Sequence, residues 1–355
     1  MNAGIKKVAL FVVTGLSFAF PAQAATLEPE QLAQLLAGLP STSELAFSAA
    51  YNKKVDAAWK RYESAVGSPL AKWSAQEIGR LKDAQVFYPF SGPDFLTINR
   101  VYPDATHYVL VALQKAGKPL AIDRLNAQAR QKLEKKMGDS WQKFGTLGFF
   151  RTHDLDDDQR DSLSLGTTSI LLAFSARLGY RVLSAQPLSF SENEMKWLAV
   201  DGESAKWDSV RLALSKAGKT IILDYISLDL SDKKLQQSEP VQKWIDASAR
   251  SPVFLKAASH LLQKPSFSLL RQSLLNYSPV LVQDETGLDY TDLKKIGRTR
   301  LYGNFVKAHV LFSSTRQHAL TEAYKTAKPT PPPLPFAFSY QKKAGFRSMQ
   351  VANRY

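Results

Sequence analysis

The sequence predicts an α/β fold, with a mixed sheet and flanking helices. Stretches with helical periodicity alternate with short apolar runs along the chain, which is the pattern of α/β proteins. The composition is that of a globular protein, with 45% hydrophobic and 22% charged residues. A chain of 355 residues is also long enough to bury a large apolar core.

The first 24 residues have the three parts of a signal peptide. Lys6 and Lys7 form the basic region, 8–20 is the apolar region, and Ala22 and Ala24 fit the small residues of a cleavage site. We therefore expect cleavage after Ala24 and a periplasmic or extracellular location. No later segment has the long uncharged run of a membrane helix, so we expect no integral membrane insertion.

Cysteine content and net charge limit the chemistry. The chain has no cysteine, which excludes disulfides, thiolate catalysis and cysteine metal sites. The formal net charge of +14 either reflects basic residues spread over a solvated surface or favours anionic partners by long-range attraction. In the cell envelope these would be an anionic envelope component or another envelope protein. We expect no nucleic-acid partner, because aromatic-basic recognition motifs are missing. We also expect no cofactor and no metal.

Residues 25–84 are predicted to form a helical N-terminal segment. Apolar residues recur at helical spacing from Leu45 to Tyr62, and Gly67-Ser68-Pro69 is expected to interrupt the helix. A first α/β lobe is predicted over 85–200. Its predicted elements are strands at 85–90, 107–113 and 182–190, and helices at 125–137 and 166–178.

A second lobe is predicted over 201–328, followed by a stiff proline-rich connector at 329–335 and a C-terminal hairpin at 336–355. The lobe opens with a predicted hairpin that turns at Lys-Ala-Gly-Lys. Its other predicted elements are helices at 254–262, 267–275 and 306–324, and a strand at 279–282.

One pattern occurs in both lobes. "VLVALQKAGKPLAI" from Val109 matches "VRLALSKAGKTIIL" from Val210 at seven positions in register. The match indicates either two hairpins that use the same turn chemistry or a duplicated, two-lobed fold with a cleft between the lobes.

The stretch "VFYPFSGPDF" places Ser91 and Asp94 directly after a predicted strand. A nucleophile elbow has small residues two positions either side of its serine. Here those positions are Pro89 and Pro93, which argue against a nucleophilic Ser91.

The spacing of Ser91 and Asp94 instead resembles an acidic capping box, flanked by Phe90 and Phe95 at the positions of a hydrophobic staple. It predicts that Ser91 caps a helix over 92–101. A helix that starts after a buried strand is where open α/β sheets bind ligands. Because Asp94 would repel a phosphate there, a neutral or hydroxyl-rich ligand is favoured.

Several motifs, among them "YPFSGPDF", "FLKAASHLL" and "VQDETG", resemble a family of uncharacterised exported bacterial proteins, over most of the chain from Val86 onward. The resemblance implies an envelope location and no particular activity. The region 86–113 also resembles the first βαβ unit of a Rossmann-type methyltransferase. In both comparisons Gln114 stands where an acidic residue is common, and the glycine-rich methyltransferase loop is missing.

The segment "RTHDLDDDQRD" at 151–161 combines His153 with five aspartates. Carboxylates at this density can hold a hard cation such as Ca²⁺. Three of them have EF-hand spacing, but Gln159 and Leu165 replace the required glycine and bidentate glutamate. The segment is therefore interpreted as an acidic loop or as a contributor to a polar site.

Asp284 and Glu285, in "VLVQDETGLDY", follow another predicted strand. Paired carboxylates can divide acid and base roles when their environments differ, and the alternative is a solvated turn. His260 lies in a predicted apolar helix, which favours a core histidine over a catalytic base.

These patterns support two hypotheses. The first is an exported, non-enzymatic envelope protein that binds an envelope component or a protein partner. The second is a carboxylate-dependent envelope hydrolase acting on a glycan or similar substrate. No catalytic residue is assigned. The candidate binding residues are Tyr88, Ser91, Asp94, His153, Asp284 and Glu285.

Overall fold

Ten strands form one mixed sheet flanked by helices in the computed structural model of the chain, which confirms the predicted α/β class. The structure describes residues 27–79, 82, 84–147, 166–202, 204–308, 317–341 and 347–354. The predicted signal peptide and the acidic segment 151–161 with His153 lie outside the described residues. None of the described helices combines the length and the apolar composition needed to cross a membrane.

The described part of the N-terminal segment contains three helices, and residues 37–48 between the first two are not helical. The Ser48 hydroxyl caps the helix over Ala49–Tyr62 by accepting a hydrogen bond from the Tyr51 amide. The predicted interruption at Gly67-Ser68-Pro69 is wrong, because the helix continues through a π-helical turn over Glu63–Gly67. Pro69 falls in the first turn after it, where a missing N–H costs little. The helices of this segment are α1 (Pro29–Leu36), α2 (Ala49–Tyr62) and α3 (Ser68–Glu77).

The sheet has the order β4-β3-β5-β6-β2-β1-β7-β8-β10-β9. Its strands are β1 (Gln85–Pro89), β2 (His107–Ala112), β3 (Arg181–Ser191), β4 (Lys196–Ala199), β5 (Ser209–Lys216), β6 (Lys219–Ser227), β7 (Val253–Leu255), β8 (Val280–Gln283), β9 (Arg298–Gly303) and β10 (Ser348–Asn353). The five central strands, β6 to β8, are parallel. In chain order they are third, second, first, fourth and fifth, as in doubly wound α/β folds.

Helices cover both faces of the central strands. Side chains alternate along β1, so that Val86 and Tyr88 join the core on one face and Phe87 joins the core on the other. Burial on both faces explains the nearly continuous apolar runs of these strands. The helices that follow α3 are α4 (Phe95–Val101), α5 (Ala127–Leu147), α6 (Gly166–Arg177), α7 (Asp232–Leu235), α8 (Glu239–Ala249), α9 (Ser268–Tyr277), α10 (Tyr290–Ile296) and α11 (His318–Thr326). The first face packs against α1 to α6 and the second against α7 to α10.

The two predicted lobes contribute strands to the same sheet. β2 pairs with β6, and β3 pairs with β5, across the proposed boundary at residue 200. The repeated pattern at Val210 forms the β5–β6 hairpin. The predicted hairpin at Val109 is wrong, because the chain does not turn back after β2. The amides of Ala116 and Gly117 donate instead to the carbonyls of Asp208 and Trp207, just before β5.

The predicted C-terminal hairpin at 336–355 is also wrong. β10 pairs with β8 and β9, whereas Ser339–Gln341 forms a short 3-10 helix. Phe336, Phe338 and Tyr340 are buried in the core of the first face, which anchors this segment across the end of the sheet. The predicted helix at 306–324 is wrong in its described first part, since 306–308 is not helical and α11 begins at His318.

Candidate functional site

A cleft of about 280 Å³ opens at the carboxyl ends of β1, β2, β6 and β7. The strand order reverses between β1 and β7, and the crevice beside such a reversal is where doubly wound sheets bind ligands. Loops that follow these strands build the cleft. Its apolar wall is formed by Phe90, Leu113, Leu228, Leu230, Leu261 and Phe267, and its polar lining residues are Gln114, Asp229 and Ser259.

The rim of the cleft is apolar. Leu113 is 68% exposed, the largest fraction among the exposed large hydrophobic side chains of the described residues. The rings of Phe90 and Phe267 meet edge to face, with their centroids 5.6 Å apart. Concave sites with aromatic and aliphatic walls and a few polar groups are typical of small-molecule binding.

The backbone beside the cleft is strained. Phe90, Ala257, Ser259 and His260 have φ values of 61°, 53°, 52° and 56°, in the left-handed region that glycine prefers. The other non-glycine residues of this kind in the described chain, Met195 and Ala217, lie in hairpin turns. Each such position costs about 1–3 kcal/mol, and they cluster at ligand sites. The coincidence with the cleft therefore indicates a functional loop.

Residues that follow β8 hold this loop in its conformation. The Ala257 amide donates to Asp284 Oδ2 at 3.0 Å, and the Ala258 amide donates to Thr286 Oγ1 at 2.7 Å. The His260 amide donates to the Thr286 carbonyl at 2.9 Å. Three backbone donors of the strained loop are thus fixed by two residues of the neighbouring loop.

Asp284 is fully buried, and its charge is compensated by hydrogen bonds. Besides the Ala257 amide it accepts from the amide and hydroxyl of Thr286 and, at 2.5 Å, from the Tyr340 hydroxyl. A buried carboxylate without such partners would be strongly destabilised. Burial raises the pKa of Tyr340, and the charge of Asp284 raises it further, so Tyr340 is the hydrogen-bond donor of the pair.

A second buried charge lies under the loop that follows β1. Lys256, which comes directly after β7, places Nζ 2.5 Å from Asp94 Oδ2 and 3.1 Å from Thr97 Oγ1. The Tyr88 hydroxyl donates to the same Asp94 oxygen at 3.1 Å. Asp94 therefore joins the loop after β1 to the loop after β7.

Glu285 is buried beside Asp284, and its pKa is raised above its ordinary value. Its Oε2 accepts from Gln341 Nε2 at 2.8 Å and from Ser348 Oγ at 3.1 Å. Burial, followed by the negative charge of Asp284, raises the pKa of Glu285 to about 8. Glu285 thus links the loop after β8 to the C-terminal segment.

The structure brings together four of the six predicted site residues. Tyr88 and Asp94 lie at the carboxyl end of β1, and Asp284 and Glu285 lie at the carboxyl end of β8, with β7 between the two strands. The interpretation of Asp284 and Glu285 as a solvated turn is wrong, because they are 0% and 1% exposed. His153 lies outside the described residues.

Ser91 does not cap a helix, contrary to prediction. Asp94 is the cap of α4 and accepts from the Thr97 amide at 3.2 Å. Gly92 has φ +54°, so the chain is still turning there and the helix begins only at Phe95. The Ser91 hydroxyl donates instead to the Val111 carbonyl at 3.3 Å.

The predicted staple is wrong for a related reason. Phe90 packs against Phe267 beside the core of the second face, whereas Phe95 packs against Tyr108 in the core of the first face. The turn at Gly92 carries the chain from one face of the sheet to the other, so the two rings cannot meet.

Lys256, Thr286, Tyr340 and Asp229 were not predicted from the sequence. The predicted helix at 254–262 is wrong: β7 occupies Val253–Leu255 and the left-handed loop follows it. His260 is fully buried in that loop and is not among the lining residues of the cleft. The sequence signal that could have marked Lys256 as a site residue is its position at the end of an apolar run.

Among the described residues, no group of three histidine, aspartate or glutamate side chains is placed to hold a metal ion. No protein-family model matches the chain, and no curated protein or solved structure gives a significant match. The resemblance to exported bacterial proteins therefore stays a prediction.

Proposed function

We propose that this protein binds a small organic ligand in the cleft at the ends of β1, β2, β6 and β7. The observation that carries the proposal is the coincidence of three features at one place: the reversal of strand order, the cleft, and the left-handed loop at 257–260. Each alone has a structural explanation, but strained loops persist where a defined geometry is needed.

The lining residues define the class of ligand. Asp229 is the one charged side chain among the lining residues that the structure describes, and Gln114 and Ser259 add neutral polar groups. An anion would meet a carboxylate without a lysine or arginine in the lining to offset it. The ligand is therefore neutral or cationic, with an apolar body for the leucine and phenylalanine walls and a hydrogen-bond donor for Asp229.

Binding is better supported than hydrolysis. A carboxylate-dependent hydrolase needs carboxyl oxygens within reach of its substrate. Asp284 and Glu285 are buried, Asp94 is paired with Lys256, and none of the three lines the cleft. Their role is to hold the loops of the cleft, and no catalytic residue is assigned.

The ligand proposal is tested with a neutral fluorescent naphthylamine dye, one rim variant and one control variant outside the cleft. Leu113→Glu places a charge on the apolar rim and is expected to weaken dye binding about tenfold or more. Leu183→Glu is the matched control, since Leu183 is also an exposed leucine, at 42%, but lies on β3 outside the cleft lining. Equal binding by both variants, or no saturable binding by the wild type, would overturn the proposal.

A panel of small molecules then tests the ligand class. A ligand present at 100 times its Kd stabilises the folded protein by about 2.7 kcal/mol. Neutral and cationic aromatic compounds are expected to raise the unfolding temperature of the wild type and not that of Leu113→Glu. Stabilisation by anions alone would contradict the assigned class.

We further propose that the protein acts in the periplasm or outside the cell, after cleavage behind Ala24. The support is the signal-peptide pattern of the first 24 residues. Cell fractionation with N-terminal sequencing is expected to find a mature chain that begins at Ala25 in the envelope or medium. Full-length protein in the cytoplasm would rule this location out.

An anionic envelope component is the partner that the charge favours. Residues 289–355 contain twelve of the 46 lysine and arginine residues but three of the 32 acidic residues. Such an imbalance attracts polyanions at long range, and salt screens the attraction. Retention on anionic envelope fractions is expected to fall as salt rises, and salt-independent retention would exclude charge as its cause.

A further inference from the structure

We infer that Tyr340, acting through Asp284, is a positioning residue of the cleft, so that ligand affinity depends on the docking of the C-terminal segment, defined here as residues 336–341 and 347–353. The inference rests on the proposed ligand cleft. It adds that a part of the chain outside the cleft lining affects the affinity of the cleft for its ligand.

The loop at 257–260 cannot keep its shape by local preference. Ala257, Ser259 and His260 carry side chains, yet all three have left-handed backbones. Such residues adopt the right-handed or extended region unless contacts with the rest of the protein hold them in the left-handed one. Here the hydrogen bonds from the loop amides to Asp284 and Thr286 provide those contacts.

Asp284 is oriented by the C-terminal segment. The oxygen that accepts from the Ala257 amide, Oδ2, is the same oxygen that accepts from the Tyr340 hydroxyl. Without that hydroxyl, Oδ2 would lose one of its two donors inside the protein, and a buried carboxylate that loses a donor shifts towards other partners or water. A shift of Asp284 moves the anchor of the strained loop.

A second contact from the same segment reaches the start of the loop. Lys256 Nζ lies over the ring of Phe338, 4.4 Å from its centroid. Phe338 and Tyr340 stack with their centroids 6.0 Å apart. The segment thus contacts Lys256 through Phe338, and it is linked to Ala257 through Tyr340 and Asp284. Lys256 and Ala257 are adjacent residues at the start of the loop.

The segment is itself held by bonds that do not involve the cleft. Gln341 and Ser348 donate to Glu285, and Gln283 Nε2 donates to Gln350 Oε1 at 3.0 Å. The position of the segment and the shape of the loop are therefore connected by a continuous set of buried hydrogen bonds. An event that displaces the segment would change the cleft without touching the ligand.

The test compares two buried tyrosines whose hydroxyls each donate a hydrogen bond. Tyr340→Phe removes the hydroxyl bound to Asp284. Tyr51→Phe is the matched control, because the Tyr51 hydroxyl is also buried but donates to the Leu36 carbonyl, away from the C-terminal segment. Binding of the naphthylamine dye is expected to weaken about tenfold in Tyr340→Phe and to stay within twofold of the wild type in Tyr51→Phe.

A rescue separates positioning from a general loss of stability. Ala257→Gly makes the left-handed backbone favourable without the bond to Asp284. The double variant Tyr340→Phe/Ala257→Gly is expected to regain dye affinity to within about twofold of the Ala257→Gly single variant. Unchanged binding in Tyr340→Phe, equal losses in both tyrosine variants, or failure of the rescue would each overturn the inference.

Hydrogen exchange provides a readout that needs no ligand. Amide exchange at Ala257, Ala258 and His260 is expected to quicken in Tyr340→Phe and not in Tyr51→Phe. If the wild type binds no dye but this difference is found, the ligand proposal fails while the positioning role stands. If exchange is the same in both variants, the positioning role fails whatever the dye does.

Discussion

Lys256 Nζ lies 2.5 Å from Asp94 Oδ2 in a pair whose side chains are 2% and 13% exposed. The pair joins the cap of α4 to the residue that follows β7, and so it ties together the loops on either side of the strand-order reversal. Removing one partner would leave the other charge buried and uncompensated.

Lys256→Met is therefore expected to lower the free energy of unfolding by about 3–5 kcal/mol. Adding Asp94→Asn to it should recover part of the loss, because the orphaned charge is then removed. Urea unfolding measures both. Lys243→Met, which breaks an exposed helical pair with Glu239, is the control and should leave the unfolding midpoint almost unchanged.

Ser91→Ala is expected to cost less than about 0.5 kcal/mol, since its hydrogen bond to Val111 is longer than an ordinary hydroxyl bond. Ser48→Ala removes the cap of α2 and should cost about 1 kcal/mol. Chemical unfolding of the two variants side by side checks the difference. A larger effect at Ser91 than at Ser48 would restore the capping role that the sequence predicts.

Stability is expected to fall as the pH rises from about 5 to about 9. The Glu285 carboxyl releases its proton near the ordinary value of 4.5 in the unfolded chain, but its pKa in the folded protein is raised to about 8. Between these values the folded state binds more protons, so each rise in pH favours unfolding. Each unit of difference in pKa corresponds to about 1.4 kcal/mol.

Glu285→Gln should flatten this dependence, because glutamine has no proton to lose. Unfolding curves of both proteins across that pH range provide the measurement. Glu239→Gln, at an exposed position, should keep the slope of the wild type. A slope that survives Glu285→Gln would assign the titration to another group.

Gly303→Ala is expected to destabilise the protein severely. Gly303 has φ +80°, and a Cβ there would overlap the Arg347 carbonyl oxygen. Gly218 has nearly the same φ, +78°, in the β5–β6 turn, with nothing within 4 Å of the added carbon. Gly218→Ala should therefore cost only the left-handed penalty of about 1–2 kcal/mol. Comparing the unfolding temperatures of the two variants separates the cost of a left-handed backbone from the cost of the steric overlap.

Periodicity was enough to predict the strands that are buried on both faces. β1, β2 and β8 lie within one residue of their predicted bounds, and the β5–β6 hairpin turns at the predicted Lys-Ala-Gly-Lys. β7 is not predicted, because a strand of three residues is too short for its periodicity to be told from that of a helix. β9 is not predicted, because its arginines break the apolar run. Both depend on neighbours supplied by distant parts of the chain.

The site was partly predictable for the same reason. Asp94, Asp284 and Glu285 follow recognisable strands, so their meeting at one sheet end could be expected from parallel pairing. Lys256 follows the strand that was interpreted as a helix. Tyr340 reaches Asp284 only because of the sheet topology, and no local pattern encodes that contact.

The place of β10 in the sheet has a consequence for the order of folding. β10 lies between β8 and β9, both of which precede it in the chain. A polypeptide synthesised as far as residue 347 would contain β9 without its neighbour and β8 with one edge unpaired. This end of the sheet, and with it the partner of Asp284 in the C-terminal segment, can therefore close only after translation has passed Asn353.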